Sequence, residues 1–185
     1  MESRLVRFLE EYVGKEQAEI ALYGLYQLGL SAIGILISVF FGLCFGKAYE
    51  VILFLLFFVP LRTYAGGYHT KYLWQCAVLS ICIILAVIML SCVGNTDVVW
   101  RNGIMLISAF IIFLHAPADS ENKRLFQHEI NRYRRIVRLM IIVTLLVYYV
   151  AEKAGFVRIR DAIIWACVVE GISIIGAKLH DRRSD

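Results

Sequence analysis

Six apolar runs divide the chain, at about Leu22–Gly46, Ala48–Leu61, Tyr72–Val93, Gly103–Ala116, Ile136–Ala151 and Ala162–Ala177. Ordinary soluble domains are roughly 45–50% apolar. Here 60% of 185 residues are hydrophobic and the mean hydropathy is +0.71. An interior of this size cannot hide that surplus, so the natural solvent is a bilayer. The expected class is all-α: a polytopic membrane protein of about six transmembrane helices. A span needs about 20 apolar residues, or about 17 at the short end. The first and third runs meet this directly, and the fifth and sixth need their flanks. The second and fourth are the least secure. At about 14 residues they give roughly 21 Å of helix against a hydrocarbon core of about 30 Å.

Residues 1–20 precede the first run and are polar and charged, so no cleavable signal peptide is expected. Within them Leu5, Phe8, Leu9, Tyr12 and Val13 share one helical face, and Arg4, Arg7, Glu10 and Glu11 take the other. That pattern predicts a short amphipathic helix, lying on the membrane surface or packed on the bundle. No linker or repeat is visible. The organisation expected is a single membrane domain over 1–185: an amphipathic segment over 1–20, a helical bundle over 21–178 and a tail over 179–185.

The basic residues sort by side. With six spans, Arg4, Arg7, Lys15, Arg62, Lys71, Lys123, Arg124, Arg132, Arg134, Arg135, Arg138, Lys178, Arg182 and Arg183 share the side of the termini. Lys47, Arg101, Lys153, Arg158 and Arg160 make up the rest of the 19. The positive-inside rule then predicts a multi-pass protein with both termini in the cytosol. Clusters set between apolar runs speak for topology, so no nucleic-acid partner is expected. The five cysteines, Cys44, Cys76, Cys82, Cys92 and Cys167, lie in or at the ends of apolar runs without framework spacing, and no disulfide scaffold is expected.

The connection after the second run reads Arg62-Thr-Tyr-Ala-Gly66-Gly67-Tyr68-His69, with Cys76 seven residues beyond the histidine. Two adjacent glycines break a helix. A second helix too short to cross leaves this connection below the surface, where irregular backbone survives only behind protein or water. A histidine and a cysteine are the minimum parts of a thiol protease, since imidazole takes the thiol proton and stabilises the thiolate. On one continuous helix, residues seven apart stand about 10.5 Å apart along the axis. Catalytic contact needs about 2.6–3.2 Å. Residues 69–76 therefore cannot all be regular helix: His69 must fold back from the break while Cys76 sits in the early turns of the third helix.

Each residue also has a plain reading. Cys76 alone is a buried small hydrophobe, His69 an interfacial histidine, and Arg62 a topology anchor. Zinc is a further reading of His69 and Cys76, with His115, His128 and His180 expected on the same side. No second close-spaced pair completes a four-ligand site, so no metal or other cofactor is expected.

Arg62, the Gly66-Gly67-Tyr68-His69 string and Cys76 together resemble the accessory gene regulator protein B family, membrane proteases of bacterial quorum sensing. The segment from Ala116 to Leu125 resembles that family's Ala-Pro segment with its following Asn-Lys. Here Arg124 follows Lys123 where many relatives carry proline. The resemblance implies a cysteine endopeptidase of the bacterial cell membrane that removes the C-terminal part of a small autoinducer precursor peptide. Cys76 would be the nucleophile and His69 the general base, with the product closed into a thiolactone or lactone ring. Arg62 matches a position of functional importance.

Other features carry expectations of their own. Backbone N–H groups at Gly66 and Gly67 are oxyanion candidates, and Arg62 could instead grip an acidic precursor. Lys123 and Arg124 open a basic stretch that reaches Arg138, suited either to anionic lipid or to an acidic part of the precursor. Glu170 lies inside the sixth apolar run, where a carboxyl needs a partner or a function. Gly42 and Gly46 form a GxxxG pair that suits a homodimer contact or internal packing. Two rivals to the protease remain: a small transporter or channel using Arg62 and Glu170, and a zinc-dependent hydrolase.

Overall fold

A computed structural model describes residues 15–67, 73–91, 97–118 and 127–184. Among these residues there are six α-helices: α1 (Lys15–Cys44), α2 (Ala48–Ala65), α3 (Leu73–Leu90), α4 (Val98–His115), α5 (Gln127–Ala154) and α6 (Val157–Ser184). No strand occurs among the described residues. The amphipathic helix expected over residues 3–13 lies outside them.

The chain divides into two compact units, Met1–Ser38 and Val39–Asp185. In the first, the described part is the length of α1 from Lys15 to Ser38. Its apolar side chains Leu28, Ile33 and Leu36 are exposed, and the Ser38 hydroxyl donates to the Gly34 carbonyl at 2.8 Å.

In the second unit α6 is the central helix, packed against α2, α4 and α5, with α3 resting on α2. Its sequence explains the position. Ala162, Ala166 and Gly171 keep its inner face small, and small residues let membrane helices approach closely. A Cβ on Gly171 would lie 3.8 Å from the Ser108 backbone of α4. One apolar core joins Leu61 and Ala65 of α2, Met105 and Ile112 of α4, Val137 and Ile141 of α5, and Ile163, Cys167 and Ile174 of α6. A second lies between α2 and α3 around Val51, Phe54, Ile84 and Ile88. Large apolar side chains also face outward: Leu56, Trp100, Phe110, Leu139, Leu146 and Ile172 are all exposed. That is the surface of a bundle whose surroundings are lipid.

The expected helix lengths need correction. The second and fourth helices, read as short, each run to 18 residues, or about 27 Å. Together with Val157–Leu179 of α6 they are, among the described residues, three helices long and apolar enough to cross a membrane. The described apolar stretches of the first and third, Leu28–Cys44 and Ala77–Leu90, are the shorter ones. The apolar runs under-read α2 and α4 because polar residues extend both helices. Arg62, Thr63 and Tyr64 continue α2, and Arg101 and Asn102 lie in the first turns of α4.

Gly46 and Gly155, both at positive φ, close the α1–α2 and α5–α6 hairpins. In each turn the residue after the glycine donates back past the helix end, Lys47 N–H to Gly42 O at 2.7 Å and Phe156 N–H to Ala151 O at 2.9 Å. The hairpins meet at one end of the second unit, where the Glu50 carboxylate forms ion pairs with Lys47 at 3.6 Å and Arg158 at 3.7 Å. Beside them Glu152 joins Arg101 at 2.6 Å and Arg160 at 3.4 Å, and Arg160 also holds Asp161 at 2.8 Å. Of the GxxxG pair, Gly42 serves internal packing: its Cβ position meets Ala48 Cα at 3.0 Å and Val51 Cγ2 at 3.1 Å.

Candidate active site

The opposite end of the second unit holds the glycine pair. α2 stops there because Gly66 turns to φ 74° and ψ −147°, and its N–H still donates to the Arg62 carbonyl at 3.2 Å. Gly67 follows at φ 131° and is buried. Side chains avoid both conformations. Space imposes the same choice. A Cβ on Gly66 would overlap the Ala118 carbonyl oxygen, and one on Gly67 would overlap the Arg62 guanidinium and crowd the Ser173 hydroxyl.

What covers the break is the segment that leaves α4. The helix ends at His115, and the Ala116 N–H donates to Ile112 O at 2.9 Å. Two residues on, Ala118 N–H donates to Ala65 O at 2.8 Å and pairs in parallel with Gly66. The break therefore survives in an apolar bundle because neighbouring backbone meets its hydrogen bonds. This replaces the reason the sequence offered. α2 is not too short to reach the surface; its end is roofed by Ala116–Ala118.

Arg62 is the polar centre. Its Nη1 donates to the Gly66 carbonyl at 3.0 Å and to the Ser173 hydroxyl, and lies 3.9 Å from Glu170 Oε2. Glu170 is completely buried, and neither of its carboxylate oxygens has a hydrogen bond among the described residues. Around this centre Tyr64 of α2 meets Tyr133 of α5 edge to face, with ring centroids 5.8 Å apart, and Arg138 lies over the Phe113 ring at 4.9 Å. Next to the roof a half-open depression of about 270 Å³ is lined by His115, Pro117, Ala118, Arg134, Ala177 and Lys178, together with Leu114 and Ala116.

Of the residues singled out in the sequence, Arg62, Gly66, Gly67 and Glu170 come together here. Cys76 falls in the first turn of α3, which begins at Leu73; its side chain, and all of His69, Lys123 and Arg124, lie outside the described residues. Two members of the cluster were not anticipated. Ser173 sits one turn after Glu170 on the same face of α6, a spacing that could have marked it. In the sequence Ala118 stands out only as part of the Ala116–Leu125 segment. Its contact is made by backbone, which no side-chain pattern reports.

The family model described as accessory gene regulator B matches residues 3–174. Among curated relatives, "Putative AgrB-like protein 2" of Clostridium perfringens strain 13 is 32% identical over 121 residues, covering 58% of this chain and 54% of the relative. "Putative AgrB-like protein" of C. perfringens strain SM101 is 31% identical over 121 residues, with the same shares. The chain thus spans about half the length of the curated relatives it matches. No solved structure matches it. The family match takes in the glycine break, its Ala118 roof and the Glu170–Ser173 turn alike, and the chain belongs to the accessory gene regulator B family.

Proposed function

We propose that this chain is a membrane cysteine endopeptidase that processes a small autoinducer precursor peptide. The observation that carries the reading is the pairing of Gly66 with Ala118, which joins the connection leading to His69 and the connection after α4 at one end of the bundle. Cys76 enters in the first turn of α3, the placement a fold-back of His69 requires.

The chemistry follows from these parts. The His69 imidazole takes the Cys76 proton, and the thiolate attacks the scissile carbonyl. The oxyanion needs a fixed donor. The Gly66 N–H is already held by Arg62 O, so the Gly67 N–H is the backbone candidate of the pair. Collapse of the adduct expels the C-terminal fragment as an amine, which takes the proton from the imidazolium, and leaves the N-terminal part as a Cys76 thioester. A thiol or hydroxyl of the same peptide then attacks the thioester, closes the ring and frees Cys76. A water-poor site favours this closure over hydrolysis. Lys123 and Arg124, with the basic start of α5, are suited to an acidic part of the precursor.

Charge supports a cytosolic position for this end. At the hairpin end Lys47, Arg101, Arg158 and Arg160 are all matched by carboxylates. At the glycine end Arg132, Arg134, Arg135 and Arg138 have no carboxylate partner among the described residues. The positive-inside rule weighs Lys and Arg themselves, and by the sequence count the glycine end carries the larger share of them.

Co-expression with a precursor encoded beside the gene tests the function. Cys76→Ser, Cys76→Ala and His69→Ala should each leave the precursor whole at unchanged protein levels. Complete cleavage by Cys76→Ala would remove the proposal.

A further inference from the structure

α6 reaches the glycine break through two side chains that the chemistry above does not use. Glu170 sits in the bundle interior with no exposure. A carboxylate there is costly unless a charge or hydrogen bonds offset the loss of water. The cation facing it is Arg62, at 3.9 Å. Ser173, one turn further along the same face, accepts a hydrogen bond from the same Nη1. Arg62 in turn donates to the Gly66 carbonyl, four residues ahead of it and outside its helix. An arginine near a helix end has many rotamers; a planar guanidinium held by several groups keeps one. Gly67 then lies so close that its Cβ position overlaps that guanidinium. A chain of contacts thus runs from the middle of α6, through Arg62, to the two residues after which the chain continues to Tyr68 and His69.

We propose that Glu170 and Ser173 are positioning residues of the candidate active site: they hold the Arg62 guanidinium against the Gly66 carbonyl and so fix where the chain leaves the break towards His69. The inference rests on the reading of His69 and Cys76 as a base and nucleophile. Neither α6 residue touches the substrate. They act on the reaction through Arg62 and the backbone it holds, so the thiolate of Cys76 depends on a residue 94 positions further along the chain (Glu170 against Cys76).

The test uses the full-length protein in liposomes with the synthetic precursor and two readouts. The first is the cleavage rate. Displacing a reacting group by about 1 Å costs about 10²-fold, and a loss of about that size is expected for Glu170→Gln, with partial recovery in Glu170→Asp. Because both residues act through Arg62, adding Glu170→Gln to Arg62→Gln should slow cleavage no further. The second readout is the pH dependence of iodoacetamide alkylation at Cys76, followed by mass spectrometry of the Cys76 peptide so that the other cysteines do not interfere. In Glu170→Gln the rise in reactivity should move up towards the ordinary thiol value of about 8.5. Ser173→Ala should shift both readouts the same way by less, and it serves if Glu170→Gln fails to insert. Wild-type cleavage by Glu170→Gln and Ser173→Ala overturns the proposal. So do penalties that multiply in the Arg62 double variant, or a Cys76 profile that does not move. Cys76→Ala separates the two levels. If it is inactive while the α6 variants match wild type, the positioning role falls and the protease stands; if it cleaves, the protease itself falls.

Discussion

At the scale of single residues, the site depends on two glycines more than on any charged group described in it. Gly66 and Gly67 are held at positive φ with the Ala118 carbonyl against one and the Arg62 guanidinium against the other. Gly66→Ala and Gly67→Ala each add backbone strain of order 1–3 kcal/mol and push on a hydrogen-bonding partner. Both should abolish precursor cleavage in isolated membranes while the protein still inserts. Gly103 is the control, since it lies within α4 with nothing within 4 Å of its Cβ position. Gly103→Ala should retain cleavage and raise the melting temperature in detergent slightly. Arg62, Gly66, Gly67 and Glu170 were legible in the sequence because each breaks an apolar pattern. Ser173 and Ala118 were not, because a serine or an alanine in such a run breaks nothing, and the Arg62–Ser173 contact spans 111 positions.

At the scale of elements, apolar runs located all six helices and misjudged their lengths. Counting stopped at the first charged residue, whereas the helices continue wherever the bundle meets that residue's hydrogen bonds. Arg101 shows the mechanism. It is buried at the start of α4 and held by Glu152 of α5, which also takes Arg160 of α6. Glu152 lies beyond the apolar part of α5. Burial pushes its carboxyl up, but the hydrogen bond and charge of Arg101, with those of Arg160, outweigh this and hold it below the ordinary carboxylate range. A depressed carboxylate stabilises the fold fully above its unfolded value, and that contribution is lost as pH falls through the folded value. Glu152→Gln should therefore lower the melting temperature in detergent at neutral pH, by an amount corresponding to about 1–3 kcal/mol. The gap from wild type should close in strong acid. A gap of constant size across that range contradicts the shared-carboxylate account.

At the scale of the molecule, the resemblance carried by Arg62, the Gly-Gly-Tyr-His string and Cys76 led to the family that the match over residues 3–174 identifies. The contrast between the two ends was only partly legible. A count of basic residues gave its direction, but not that carboxylates neutralise the arginines at the hairpin end, because Glu50 reaches Arg158 and Glu152 reaches Arg101 and Arg160 only once the helices pack. The central claim is that the break at the other end brings His69 to Cys76 and makes the sulfur an acyl carrier. Intact-mass analysis of the protein, quenched in acid during turnover of its precursor, tests this most directly. The account predicts an added mass equal to the precursor's N-terminal part, located on Cys76, released by hydroxylamine and absent from His69→Ala. Turnover at full rate with Cys76 unmodified, and the same rate from Cys76→Ala, would contradict it.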